Sequence, residues 1–336
     1  MRMLLGALAG QPLRATLTGT ARLQQRPMER VVEPLRSMGA RIEGASANAT
    51  PPLTIHGGRL TGKAHRMSVA SAQVKTALLL AGLFAEGPTR IEEPGPSRDH
   101  TERLLRHLGV SLSISPRTVI LHPDQRGLPP FQLEIPGDFS SAAFVLVAAC
   151  LAPNSRVIVE NVGINPTRTG LLDALQGMGA NLQVEPSAEL AGEPVGTIAA
   201  EHGHLRGVEV YGTQVVRMID EFPIFAVAAT QAEGETVVRD AQELHTKESD
   251  RIADLVEELR KMGARIEARG DGFHIDGPAR LHGAQVDSHG DHRLGMALAV
   301  AALVAEGETH IDSAWRIDDS FPGFASVLAH LGADVR

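Results

Sequence analysis

The segment HTKESDRI, residues 245–252, places His, Lys, Glu, Asp and Arg side chains directly before the apolar helical pattern IADLVEELRKMGA. Glu248, Ser249 and Asp250 suit the start of a helix, where acidic groups meet free backbone N–H groups and the positive end of the dipole. The same residue types could bind an anion through lysine and arginine and move a proton through a carboxylate. From this segment alone, a solvated helix start and a reaction site both stay open.

Polar residues also open other apolar helical patterns of the chain. SAQVK at residues 71–75, DEFPI at 220–224 and GDHR at 290–293 each begin such a pattern. These residues are ordinary helix caps in the structural interpretation. In the functional interpretation, several helix N-termini directed at one cleft would bind phosphate and carboxylate through their free N–H groups.

Composition restricts the possible partners. A net charge of −8, with one Trp and one Tyr in 336 residues, argues against a nucleic-acid-binding protein. An anionic ligand would therefore need a local cluster of cationic side chains. The longest apolar runs stop at about ten residues, and a membrane span needs roughly twenty, so no transmembrane helix is expected. The single cysteine, Cys150, lies in an apolar run, which predicts a buried, inert thiol and fits a reducing cytoplasm.

Five segments share one pattern: LRSMGARIE, LRHLGVSLSI, LQGMGANLQV, LRKMGARIEA and LAHLGADVR. Each predicts a helix end, a left-handed glycine and the start of a strand. An apolar helix precedes each copy, and for the first copy it would begin within MRMLLGALAGQP, which otherwise imitates a signal peptide. Repeats with two helices and several strands predict an α/β fold with stacked internal copies. The glycines are Gly39, Gly109, Gly179, Gly263 and Gly332.

Seven motifs in order resemble the EPSP synthase family of 3-phosphoshikimate 1-carboxyvinyltransferases. They are SAQVK, SRDHTE at 97–102, PGDFSSAAF at 136–144, DEFPI, KESDR at 247–251, GDHR and SFPGF at 320–324. The resemblance runs over the whole chain and implies an α/β fold, a two-domain inside-out α/β barrel of repeated βαβαββ units. It places the active site in the cleft between the domains. We expect two units in residues 1–137 and three in residues 138–336, five of the family's six.

The resemblance implies a sixth unit ahead of Met1, carrying a Lys-Ser motif that binds both substrates. The chain begins at the Met-Arg of a family loop, as Met1 and Arg2. A fragment, a start assigned too late and a missing part supplied by another polypeptide are all open explanations. On each of them, we expect little or no turnover by this chain alone.

The family reaction moves the enolpyruvyl group of phosphoenolpyruvate onto the 5-hydroxyl of shikimate 3-phosphate and releases phosphate. The resemblance implies that Asp220 is the general base and that Glu248 exchanges a proton with the methylene carbon of phosphoenolpyruvate. Asp250 would orient its neighbours, and His292 is either structural or a phosphate contact. No cofactor is expected, and neither a nucleic acid nor a membrane partner; the protein would be a cytoplasmic monomer.

The implied binding residues fall into two sets. Arginine suits both anionic substrates because its planar fork grips carboxylate or phosphate and keeps its charge. The phosphoenolpyruvate set is Arg26, Gln73, Arg251, Arg293 and Arg2. The shikimate 3-phosphate set is Ser71, Ala72 through its backbone, Gln73, Ser97, Arg98, Asp220 and Lys247.

Three alternatives remain to be compared. The enolpyruvyl transferase that acts on UDP-N-acetylglucosamine shares the fold, but its family usually carries a reactive Cys on a mobile loop, and SRDHTE favours the shikimate enzyme. A catalytically silent fragment that assembles with a separate N-terminal piece is the second. A metal protein is the third, but HGH at 202–204 and HGDH at 289–292 lack a convincing third ligand, so no metal site is predicted.

Overall fold

The computed structural model describes residues 1–44, 49–123 and 127–335. Contacts divide the chain into two compact units. The first comprises Met1–Glu134 and Ala191–Glu193, and the second comprises Ile135–Leu190 and the residues from Pro194 onward. The boundary expected from the sequence lies three residues further along, between 137 and 138, and it assigns 191–193 to the second domain. The number of repeat units in each domain stays a prediction.

In the first unit, helix α1 packs against helix α4, and short sheets complete the fold. The helices are α1 (Arg2–Ala9), α2 (Ala21–Gln24), α3 (Glu29–Ser37), α4 (Ala72–Gly82) and α5 (His100–His107). The strands are β1 (Arg14–Leu17), β2 (Arg41–Gly44), β3 (Leu53–His56), β4 (Leu60–Thr61), β5 (Ala64–Arg66), β6 (Ala85–Glu86), β7 (Thr89–Glu92), β8 (Ser111–Ser115) and β9 (Thr118–His122).

In the second unit, three apolar helices, α6, α9 and α11, pack against one another. The helices are α6 (Phe139–Leu151), α7 (Gly170–Gly177), α8 (Thr213–Arg217), α9 (Phe222–Thr230), α10 (Arg251–Lys261), α11 (His292–Ala302) and α12 (Phe324–His330). The strands are β10 (Arg156–Gly163), β11 (Asn181–Leu190), β12 (Glu193–Glu201), β13 (Glu209–Val210), β14 (Gly234–Val238), β15 (Ile266–Arg269), β16 (Gly272–Gly277), β17 (Gln285–Asp287) and β18 (His310–Asp312).

The sheets repeat one topology in both units. The orders β5-β7-β9-β8 and β13-β14-β16-β15 each start with a parallel pair and continue with two antiparallel pairs. The register places buried Ile91 opposite Val119 and buried Val238 opposite Phe273. The three-stranded orders β1-β3-β2 and β10-β12-β11 resemble the last three strands of these sheets, with antiparallel pairs β1-β3, β2-β3 and β10-β12. Parallel pairs recur as β4-β6 and β17-β18. Mixed sheets packed with helices confirm the α/β fold class.

The glycines that end the repeated helices all have a positive φ, between 82° and 113°. The prediction of a left-handed glycine after each of these helices is confirmed. Strands β2, β8, β11 and β15 follow the first four glycines, as predicted. The fifth strand prediction is wrong: residues 333–335 after α12 form no strand, because they pair with no neighbouring strand in the described chain.

Apolar helices supply the core of each unit. All nine residues of α9 are buried, and Cys150 lies buried near the end of α6, as expected from its apolar run. In the first unit, Leu5 and Ala9 of α1 are buried, so the initial apolar run is a packed helix, as the repeat predicts. Gly6 allows α1 to approach α4, because a Cβ there would lie 2.0 Å from the carbonyl oxygen of Ala77. None of the helices in the described residues is long and apolar enough to cross a membrane.

Candidate active site

The charged segment HTKESDRI, residues 245–252, leads into α10. Asp250 is the N-cap, and its carboxylate accepts a hydrogen bond from the backbone N–H of Ala253 at 3.1 Å. The same carboxylate accepts a bond from His245 Nδ1 at 2.8 Å. Asp250 therefore holds the helix start and its own neighbours in place. Helix α10 begins at Arg251, so Glu248 and Ser249 precede the cap.

Arg251 is buried and binds two carboxylates. Its Nε donates to Asp291 Oδ2 at 2.7 Å, and its Nη2 donates to Glu248 Oε2 at 2.7 Å. Burial opposes the charge of the guanidinium, but Asp291, Glu248 and Asp220 together raise the pKa of Arg251. Asp291 is itself fully buried and caps α11 by accepting the N–H of Arg293 at 2.9 Å. Two helix N-termini, those of α10 and α11, are thereby joined at one point.

Asp220 lies between two guanidinium groups in the turn before α9. Arg251 Nη1 is 3.7 Å from its Oδ1, and Arg168 Nη1 is 4.0 Å from its Oδ2. Both distances exceed the usual range for an N–H···O hydrogen bond, so these two contacts are electrostatic. A third cation, Arg293, donates from Nη1 to the backbone oxygen of Asp220 at 3.4 Å. The arrangement favours an ionised carboxylate that can accept a proton.

Arg168 is a functional candidate that the sequence analysis missed. It lies in the NPTRTG turn between β10 and α7, which the buried Asn165 organises by accepting bonds from the N–H and hydroxyl of Thr167 at 2.8 and 2.7 Å. Arg168 Nη2 donates to Asp138 at 3.0 Å and to Ser140 Oγ at 2.6 Å. Asn followed by Pro signals such a turn, but nothing in the local sequence indicates the partners, which lie about 30 and 50 residues away.

Glu221, next to Asp220, is a fully buried carboxyl group at the N-cap of α9. Its Oε1 accepts a short hydrogen bond from Ser140 Oγ and lies 4.0 Å from Arg168 Nη2. Burial raises the pKa of Glu221; Arg168 opposes this effect and the charge of Asp220 adds to it. Ser140 thus donates to Glu221 and accepts from Arg168, so one hydroxyl connects the two groups.

Two further residues of the charged segments, Lys247 and His292, interact with residues close to them in the sequence. Lys247 donates from Nζ to Glu243 Oε1 at 2.7 Å, an i,i+4 partner, and lies after a 3-10 helix at Gln242–Thr246. His292 is half-buried in the first turn of α11, where burial and the charge of Arg293 lower its pKa. A neutral imidazole has one donor and one acceptor nitrogen, so His292 could serve a structural role or donate a hydrogen bond to phosphate. Both interpretations stay open.

In the first unit, the structure brings together three predicted residues at the N-terminal ends of α1 and α4. Arg2 Nη1 donates to Gln73 Oε1 at 2.9 Å, and Arg2 Nη2 donates to the backbone oxygen of Pro27 at 3.2 Å. Pro27 follows Arg26, which is half-buried. Ser71 is the N-cap of α4 and its side chain makes no capping bond, so its hydroxyl is not committed to the helix end. Ala72 begins the helix, where backbone N–H groups have no partner within the helix itself.

Ser97 belongs to a buried polar network that the sequence analysis did not anticipate. Its hydroxyl donates a short hydrogen bond to Glu93 Oε1. Lys75, 2% exposed on α4, lies 2.9 Å from Glu93 and 2.7 Å from Glu102. Lys75 therefore ties Ser97 to the helix that carries Ser71 and Gln73. Arg98, the next residue, is half-buried.

One group of potential metal ligands occurs in the described residues. Glu257, Glu258 and His289 bring one ligand atom each within 4.8 Å of one another. His289 is part of the HGDH motif, and the two glutamates from α10 are neighbours that the sequence spacing did not reveal. Lys261 Nζ already lies 3.0 Å from Glu257 and 2.8 Å from Glu258, and His289 Nε2 lies 2.7 Å from Glu258. Because these groups supply the positive charge, we assign no metal to this cluster.

Solved structures share this fold. An EPSP synthase from Acinetobacter baumannii superposes with a TM-score of 0.90 at 40% sequence identity, covering 100% of this chain and 77% of that chain. The enolpyruvyl transferase NikO from Streptomyces tendae, at 24% identity, gives a TM-score of 0.80 and covers 99% of this chain and 76% of its own. The protein therefore has the two-domain inside-out α/β fold of these transferases.

Comparison of sequences identifies one family among the proteins that share this fold. The family profile described as EPSP synthase (3-phosphoshikimate 1-carboxyvinyltransferase) matches residues 1–328. A 3-phosphoshikimate 1-carboxyvinyltransferase of Thermodesulfovibrio yellowstonii is 48% identical over 98% of this chain and 77% of that protein. The counterpart from Desulforudis audaxviator is 50% identical, again over 98% of this chain and 77% of its own length. The chain belongs to the EPSP synthase family, which confirms the resemblance seen in the motifs.

Proposed function

We propose that this protein transfers the enolpyruvyl group of phosphoenolpyruvate to the 5-hydroxyl of shikimate 3-phosphate, with release of phosphate. The observation that carries this proposal is the agreement between family membership over nearly the whole chain and the position of Asp220 between Arg168 and Arg251. A carboxylate held among guanidinium groups suits a reaction in which anions bind and a hydroxyl proton leaves.

The reaction divides into an addition and an elimination. In the addition, the 5-hydroxyl oxygen bonds to C2 of phosphoenolpyruvate, its proton passes to Asp220, and the methylene carbon takes a proton from Glu248. In the elimination, the bond from C2 to the phosphate oxygen breaks, the methyl group returns a proton to Glu248, and the departing phosphate takes up the proton held by Asp220. Both carboxyl groups return to their starting states, so no cofactor is required.

Glu248 has a specific place in this scheme. The 2.7 Å bond from Arg251 favours its carboxylate form, which is the form that removes the methyl proton in the elimination. For the addition, Glu248 must hold a proton, and an anionic ligand that draws charge from Arg251 would weaken this bond. Arg251 would then couple ligand binding to the protonation of Glu248.

The substrate contacts are proposals based on the family motifs. Phosphoenolpyruvate would bind to Arg251, Arg293, Arg26, Arg2 and Gln73. Shikimate 3-phosphate would bind to Ser71, Ala72, Gln73, Ser97, Arg98, Asp220 and Lys247. The contact between Arg2 and Gln73, together with the network from Lys75 to Ser97, supports a common location for the residues of the first unit.

Phosphate release tests the proposed function, in the protein with the family's N-terminal unit, carrying the Lys-Ser motif, joined in frame ahead of Met1. Release should require both phosphoenolpyruvate and shikimate 3-phosphate, and mass spectrometry should detect the enolpyruvyl ether as the product. Asp220→Asn and Glu248→Gln should each lower kcat by about 10²–10⁴, because proton transfer by a positioned group contributes that much. Release of phosphate from phosphoenolpyruvate without the second substrate, or near-normal kcat in both variants, would contradict the proposal.

Binding measurements separate the two substrate sets. Arg293→Ala and Arg26→Ala should weaken phosphoenolpyruvate binding by about 2–5 kcal/mol, since a buried charge-assisted contact is lost. Lys247→Ala should weaken shikimate 3-phosphate more than phosphoenolpyruvate. Arg280→Ala is the matched control, because Arg280 forms an exposed pair with Glu306 at 2.8 Å. Equal affinities in the control and in all three site variants would reject the assignment.

A further inference from the structure

We propose that Arg168 is a positioning residue for the reaction, which keeps Asp220 ionised and oriented from the side opposite Arg251, and that Ser140 and Glu221 hold Arg168 in place. This inference rests on the proposed role of Asp220 as the proton acceptor. It assigns a function to Arg168, which lies outside the sequence motifs, and to Ser140 and Glu221, which lie in two motifs but had no assigned role.

The geometry around Asp220 is the first argument. Arg251 approaches one carboxylate oxygen at 3.7 Å and Arg168 approaches the other at 4.0 Å. Each cation lowers the energy of the ionised form, and the pair restricts rotation of the carboxylate from both sides. Arg251 is also bound to Glu248 and Asp291, which already compensate its charge. Arg168 is likewise paired with Asp138, at 3.0 Å, so both guanidinium groups contribute to the attraction on Asp220.

The support of Arg168 is the second argument. Its Nη2 donates to Ser140 Oγ at 2.6 Å and to Asp138 at 3.0 Å, so the guanidinium plane is fixed by two contacts at the start of α6. Ser140 is 2% exposed and donates its own proton to Glu221. A hydroxyl whose proton is committed to Glu221 must present a lone pair to Arg168, which sets the direction of the bond.

The turn that carries Arg168 is equally fixed. Asn165 accepts bonds from Thr167, and Arg217 Nε donates to the backbone oxygen of Pro166 at 2.6 Å. A side chain on so constrained a turn has little freedom to follow a ligand, which fits a positioning role. Among the described residues, the charged or titratable groups around Asp220 and its guanidinium partners include Arg168, Arg251, Arg293, Glu221, Glu248, Asp138, Asp291 and His292.

The test compares Arg168→Gln, Arg168→Lys and Ser140→Ala through the pH dependence of kcat/KM for phosphate release. Removing the charge in Arg168→Gln should move the acid limb about one pH unit upward, so activity on that limb falls about tenfold. The KM for phosphoenolpyruvate should change little. Arg168→Lys keeps the charge and should restore the position of the limb, while Ser140→Ala should move it in the same direction as Arg168→Gln but less far.

Two controls match these variants. Ser141→Ala removes a neighbouring hydroxyl that donates to Asp138 at 3.4 Å. Arg156→Gln, on β10, breaks an exposed pair with Glu201 of β12. Both should keep the parental profile. An unshifted acid limb in Arg168→Gln, or an equal shift in Arg168→Lys, would overturn the proposal.

A second measurement does not depend on turnover. The carboxyl ¹³C titration of Asp220, assigned by its loss in Asp220→Asn, should move to higher pH in Arg168→Gln and Ser140→Ala, and it should keep the parental midpoint in Arg168→Lys. An unchanged midpoint in Arg168→Gln would overturn the inference even if the enzyme is active. Failure of the proposed function is distinguishable, because it would appear as absent phosphate release in the parent protein even with the family's N-terminal unit joined in frame ahead of Met1.

Discussion

The guanidinium of Arg251 and the carboxylate of Asp291 form an ion pair of 2.7 Å in which both side chains are almost completely buried. The two residues begin different helices, α10 and α11, so one pair fixes the relative position of two N-termini. Asp291 also accepts the N–H of Arg293, which joins a proposed anion-binding residue to the same pair.

Removal of Asp291 should therefore be costly. Asp291→Ala leaves Arg251 buried without its main partner, and we expect the free energy of unfolding to fall by about 3–5 kcal/mol in urea denaturation. Asp291→Asn keeps the shape of the side chain, and its free energy of unfolding should fall less. Glu306→Ala breaks the exposed pair with Arg280 and should cost under about 1 kcal/mol. Equal losses of stability in Asp291→Ala and Glu306→Ala would show that the buried pair contributes no more to stability than the exposed pair.

The buried network of the first unit predicts a pH dependence of stability. Burial raises the pKa of Glu102 above 4.5, although Lys75 opposes the shift. A raised folded-state pKa means that the folded protein holds this proton more tightly. The contribution of Glu102 to stability is thus present below pH 4.5 and is lost as the pH rises through the folded-state pKa.

Glu102→Gln removes this titration and does not lose stability as the pH rises. Its free energy of unfolding should therefore increase relative to that of the parent between pH 4 and pH 7, which means that the variant becomes relatively more stable. Glu92→Gln is the control, since that carboxylate is exposed and pairs with Arg90 at 2.7 Å. Urea denaturation at several pH values measures both. A constant difference between Glu102→Gln and the parent across this range would refute the pKa shift.

Cys150 should be inert. Burial raises the pKa of its thiol to about 11, and the side chain is fully buried in α6. Iodoacetamide should label it only after denaturation, and Cys150→Ala should keep kcat within about twofold, because only an accessible thiolate reacts as a nucleophile. Rapid labelling of the native protein with loss of phosphate release would instead support a reactive cysteine, as expected for the UDP-N-acetylglucosamine enzyme.

Local signals in the sequence predicted the elements well. Gly109 and Gly263 end helices with a positive φ, and Asp250 caps α10, because these features depend on a few neighbouring residues. The missing strand after α12 is the counterexample. Strand formation depends on a partner elsewhere in the chain, and an alternating pattern cannot report whether one is present.

The candidate site was only partly predictable. Asp220, Glu248, Arg251 and Arg293 were expected from motifs, and the structure places them near one another. The motifs did not reveal the position of Arg168, because its contacts with Asp138 and Asp220 join segments about 30 and 50 residues apart. Buried contacts between distant segments follow from packing, and the helix period of one segment carries no information about them.

The left-handed backbone after the repeated helices predicts opposite effects of L-alanine and D-alanine at the glycine positions. At Gly109, φ is 82° and a Cβ would meet no atom within 4 Å, so the requirement for glycine there is one of handedness and not of space. An L-alanine at this position should cost about 1–2 kcal/mol, because its Cβ opposes the left-handed backbone. A D-alanine, introduced by chemical ligation, favours that conformation and should stabilise the fold by about 0.4–1 kcal/mol through a less flexible unfolded chain. Two enantiomers of one residue would thus change stability in opposite directions at the same joint between helix and strand.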